Sequence, residues 1–100
     1  MRLYKARSDF SLREISGENV LIPIGNQVFR NNSVIVMNDT AMFMWKKLKS
    51  EHSLFQLVKA LVDEYEISAD AVLDDVDRFL TALLKVDAIE VRDVDMQKYA

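Results

Sequence analysis

The stretch SVIVMNDTAMFMWKKL, residues 33–48, decides how this chain folds. Val34-Ile35-Val36-Met37 is a β-branched run that predicts a strand, and it passes straight into Asn38-Asp39-Thr40, which reads as a helix start. Asn38 can cap the helix, and Asp39 sits in the first turn, where a carboxylate favours the helix dipole. Ala41, Met44, Trp45 and Leu48 then share one face. Successive strand residues point opposite ways, so Ile35 and Met37 are expected to face the core and Val34 and Val36 to face outward. The strand is therefore apolar on both faces. The chain's own helices can bury one; the other needs a further layer, a second copy of the chain, or a bound partner. That surplus points to a binding module and not to an enzyme.

Upstream, residues 10–16 alternate apolar and polar, and Val20–Ile24 returns after Gly17-Glu18, so a hairpin is expected. Pro23 cannot donate to a ladder, which places it near its strand's end or on an unpaired side. A polar loop over 25–32 leads to the third strand at 33–37. Downstream, Ser53-Leu-Phe-Gln56 has the capping-box form before Leu57, Val58, Leu61 and Val62. Ser68 caps a third helix, whose Val72, Val76, Phe79, Leu80, Leu83 and Leu84 cover an arc of about 160° at 100° per residue. Residues 88–91 can form a short closing strand. The expected organisation is one domain over 1–92 and a tail over 93–100.

Composition narrows the chemistry. One hundred residues suit a single small core, and half are hydrophobic with 29% charged, as in a folded domain. There is no cysteine, so disulfides, thiolate nucleophiles and Cys-based metal sites are excluded, and a cytoplasmic location fits. No apolar run suits a membrane span, and the N-terminus lacks a charged-then-apolar leader. His52 is the single histidine and reads as a loop residue with no second imidazole to share a metal. Asp74 and Asp75 are adjacent, so on a helix they diverge by about 100° and cannot work as a paired acid and base. No catalytic residue, metal ligand or cofactor is expected.

Strands first and helices second give an α+β domain, winged helix-turn-helix-like: a three-stranded antiparallel N-terminal sheet followed by a three-helix bundle. Such layouts often bind DNA through a helix in the major groove. Here the third helix would present Asp70, Asp74, Asp75 and Asp77 against Arg78 and Lys85, and the net charge is −3. Carboxylates facing phosphates repel, so nucleic acid is not an expected partner.

Val36-Met-Asn-Asp-Thr-Ala41, the Met44-Trp45 pair, Leu61-Val-Asp-Glu-Tyr65 and Asp74-Asp-Val-Asp-Arg-Phe-Leu80 together resemble the PqqD family, the coenzyme PQQ synthesis protein D type, across residues 10–91. The resemblance implies the fold above and a role as a recognition element for ribosomally made, post-translationally modified peptides. Such a domain binds the leader of a precursor peptide and delivers it to a modifying enzyme, often a radical SAM enzyme. It also implies that the leader adds as a strand beside the third strand and packs on the third helix. The residues support a compatible site independently, because an exposed strand edge offers unpaired N–H and C=O groups. The expected peptide-binding set is Val34, Ile35, Val36 and Met37 on the strand, with Val72, Asp75, Val76 and Phe79 on the helix.

Plainer roles compete for several of these residues. Val34 and Val36 can pack in a homodimer or under the N-terminal arm. Phe79 and Trp45 suit a core at helical spacing, and the aspartates suit a solvated face. Alternative functions are a winged-helix DNA-binding regulator and a structural subunit of a larger enzyme complex.

Overall fold

Five strands and three helices, described over residues 1–94 in a computed structural model, form two small sheets against a helical layer. Strand β2 (Phe10–Ile15) pairs antiparallel with β3 (Glu18–Pro23), and β3 pairs with β4 (Ile35–Val36), giving the order β2-β3-β4. The β2–β3 turn is the two-residue Ser16-Gly17, with φ of 52° and 82°. Two consecutive positive φ values are what a tight hairpin with the strands' own twist requires, and Gly17 meets that at no steric cost. Pro23 is the last residue of its strand, as expected.

The helices begin where their caps lie. Helix α1 (Asp39–Lys47) starts after Asn38, whose side chain accepts from the Ala41 amide at 2.9 Å. Helix α2 (Leu54–Tyr65) starts on the full capping box of Ser53 and Gln56. Helix α3 (Ala69–Lys85) starts after Ser68, which accepts from Ala71. Their inner faces enclose Trp45, Leu48, Leu57, Leu61, Val76, Leu80 and Leu83, each at most 2% exposed. Leu84 departs from the expected arc: it lies on the solvent side at the end of α3 and is exposed.

A second sheet was not expected. Strand β1 (Arg2–Ala6) pairs antiparallel with β5 (Ile89–Asp93), from Arg2 opposite Asp93 to Ala6 opposite Ile89. The closing strand thus runs to Asp93, inside the span expected as tail, while residues 95–100 lie outside the described ones. Tyr4 also exchanges backbone hydrogen bonds with His52, at 2.8 and 3.0 Å, so His52 is held in a bridge instead of a free loop. Arg92 adds a two-pronged contact to Glu51, 2.8 Å on each arm. Residues 25–32 also hold more than a loop: Gly25–Phe29 forms a 3-10 turn that buries Gln27.

The third strand is shorter than its β-branched run predicts. Asn31 explains part of this, because its side chain donates to the Val86 carbonyl at 2.6 Å and accepts from the Ser33 amide at 3.0 Å. The approach to β4 is thereby fastened to the end of α3, and ladder pairing begins only at Ile35.

Candidate functional site

Alternation along residues 34–37 sets up the site. Met37 is 3% exposed and Ile35 is half-buried, whereas Val34 and Val36 are 60% and 65% exposed. The faces are those expected from the pattern. The Met37 amide donates to the Asn19 carbonyl of β3 at 2.8 Å. Backbone groups of neighbouring strand residues point to opposite sides, so the Val36 N–H and C=O point away from β3, toward the free edge.

An open groove of about 380 Å³ lies beside that edge. Ile35 and Val36 form one wall, Asp75, Arg78 and Phe79 of α3 another, and Asn38, Thr40, Ala41 and Met44 the end where α1 begins. Four residues of the expected set therefore meet here: Ile35, Val36, Asp75 and Phe79. Val34 is exposed nearby in the chain but outside the groove lining. Met37, Val72 and Val76 correct the expectation in another way. They are at most 7% exposed, so they support the walls from within the core and do not offer contact area.

Arg78 was missed as a groove residue because its helix position reads as solvated surface. Its guanidinium is hydrogen-bonded to Asp74, one turn earlier. That bond, then the charge of Asp74 and more weakly that of Asp75, raises the Arg78 pKa, so the group is a permanent cation. The groove thus has an apolar floor of Ala41, Met44 and Phe79, a fixed positive group, and the Asp75 carboxylate at its rim. The outer edge of β2, at the far side of the same sheet, is longer. This arrangement suits capture of an extended segment, with backbone pairing at Val36 and apolar side chains set against Phe79.

Residues 18–89 match the family model described as coenzyme PQQ synthesis protein D (PqqD). Among solved structures the chain is similar to TbiB1 in complex with the TbiA(beta) leader peptide, with a TM-score of 0.65 and 21% identity over 91% of this chain and 99% of that one. It is also similar to a lasso peptide synthetase B1 complexed with the leader peptide, with a TM-score of 0.62 and 21% identity over 90% and 98% of the two chains. At that identity the likeness establishes the fold. No curated protein matches the chain.

Proposed function

The chain belongs to the PqqD family, and on that premise we propose that it is a non-catalytic cytoplasmic domain that binds the leader of a ribosomally made precursor peptide and presents it to a modifying enzyme. The observation that carries this reading is the outward-facing Val36 edge beside the groove lined by Phe79 and Asp75. That both similar structures are complexes with leader peptides supports the same use of the fold here. The enzyme served is of the radical SAM class or another peptide-modifying class.

Magnitudes say where the affinity arises. Val36 offers one N–H and one C=O, and each net hydrogen bond contributes roughly 0.5–1.5 kcal/mol. Micromolar binding corresponds to about 8 kcal/mol. Most of it must then come from leader side chains covering Val36, Ile35 and Phe79, at roughly 25 cal/mol per Å² of apolar surface removed from water. Backbone pairing sets the register, and the groove selects the sequence. DNA recognition fits less well, because Asp70, Asp74, Asp75 and Asp77 of α3 are all exposed.

The test is amide chemical-shift mapping with a candidate leader peptide. Shifts are expected at residues 35–37 and around Asp75 and Phe79. A response confined to the Ser16-Gly17 turn would overturn the reading.

A further inference from the structure

The opposite flank of α3 carries a second surface. Asp70, Leu73, Asp74 and Asp77 recur every three or four residues and form one stripe. That stripe lies about 170° around the helix from Asp75 and Phe79. Beside it stand Leu54 and Phe55 from the start of α2, and these six side chains line one shallow depression. Phe55 is 73% exposed, yet its backbone is fixed by the Ser53–Gln56 capping box on either side of it. An exposed aromatic on a fixed backbone offers apolar area that a partner can cover, which is the character of an interface anchor. On the α3 side of Phe55 the charge is acidic, from Asp70, Asp74 and Asp77, while Arg2, paired with Asp93, stands with Leu54 and Phe55 on the other side. Asp74 is shared with Arg78, while Asp70 and Asp77 have no ion-pair partner among the described residues.

We propose that this flank docks a protein partner whose apolar ridge is bordered by lysine or arginine. The ridge covers Phe55, Leu54 and Leu73, and its cations face Asp70 and Asp77. Apolar burial supplies the affinity, while the carboxylates steer the encounter and reject acidic surfaces. The occupant is the modifying enzyme, an assignment that rests on the function proposed above. With the leader on one flank of α3 and the enzyme on the other, both can be held at once.

Two synthetic 18-residue amphipathic helices serve as probes, sharing one leucine stripe that is flanked by lysines in one and by glutamates in the other. Titrated into the full chain, the lysine-flanked helix is expected to bind and to shift the amides of Leu54, Phe55, Leu73 and Asp77. Val36 and Phe79 should stay unmoved. Phe55→Ala should weaken this binding roughly tenfold without lowering Tm, because the ring is exposed. Asp70→Asn with Asp77→Asn should weaken it at low salt and much less at high salt. Equal binding of the two helices, shifts centred on Val36, or indifference to Phe55→Ala would each overturn the proposal. A concentration-dependent dimer abolished by Phe55→Ala would overturn it in favour of a second copy. Val36→Lys should leave the lysine-flanked helix bound, so failure of leader recognition and failure of this surface are separately visible. With the modifying enzyme itself, Phe55→Ala should weaken the complex roughly tenfold and spare leader affinity. Loss of both together would overturn the separation of the two flanks.

Discussion

The two sheets make opposite use of hydrogen bonding. Strands β1 and β5 pair over five residues each, and Tyr4 and Arg92 tie them to the segment between α1 and α2. Strand β4 pairs with β3 over two residues and leaves its other side open. One sheet closes the ends of the described chain onto the helical layer; the other leaves pairing capacity beside a groove. The closed sheet and the open edge thus lie in different parts of a domain with a single core.

The largest effect should come from Trp45, which is 1% exposed in the core that both regions share. Trp45→Ala is expected to cost about 3–5 kcal/mol, as loss of a large buried aromatic does, and denaturant unfolding would read it. A loss below about 1 kcal/mol would remove Trp45 from its place as the common support.

Val36→Lys is the converse. The side chain is exposed, so Tm should hardly change, while leader affinity should fall about tenfold or more, measured by fluorescence anisotropy. Equal loss of stability from the Val36 and Trp45 changes would break the division between open edge and core.

Asn38 stands at the junction, capping α1 and forming part of the groove's end. Asn38→Ala is expected to cost about 1 kcal/mol of stability from the lost cap and to reduce leader affinity as well, so calorimetric melting and binding should respond together.

The smallest effect should be that of Asp75→Asn. A carboxylate at an exposed rim contributes less than about 1 kcal/mol, so leader binding should weaken a few-fold at low salt and converge on the parent value at high salt. Asp77→Asn, on the other flank, should leave leader binding unchanged. Indistinguishable leader binding by the two variants at low ionic strength would take Asp75 out of the groove's recognition chemistry.

What could be read from the sequence was local. Asn38, Ser53 with Gln56, and Ser68 each signal a helix start within four residues, and all three caps form. Alternation over residues 34–37 was equally legible, since it depends only on strand geometry. Strand β1 was not legible because its partner lies at the other end of the chain, and nothing in Arg2–Ala6 alone identifies Ile89–Asp93. The brevity of β4 depends on a distant contact too, Asn31 reaching Val86. At the candidate site, the strand and the helix named from the sequence do adjoin one groove. The sequence pattern did not distinguish residues that meet in the groove, such as Phe79, from Val76 directly behind it, which is fully buried. Three or four residues of helix separate contact from support, and the difference is set by how the helix rolls against the sheet.

The two-residue length of β4 has a further consequence. An open strand edge invites any extended chain to join it, and a long one can seed intermolecular β-assembly. Here the ladder starts at Ile35 and ends where Asn38 turns the chain into α1, so an arriving strand gains little register before the pairing surface runs out. A random segment that cannot also fill the groove is held too briefly to template growth. Under the function proposed above, the groove and not the ladder decides which segment stays bound.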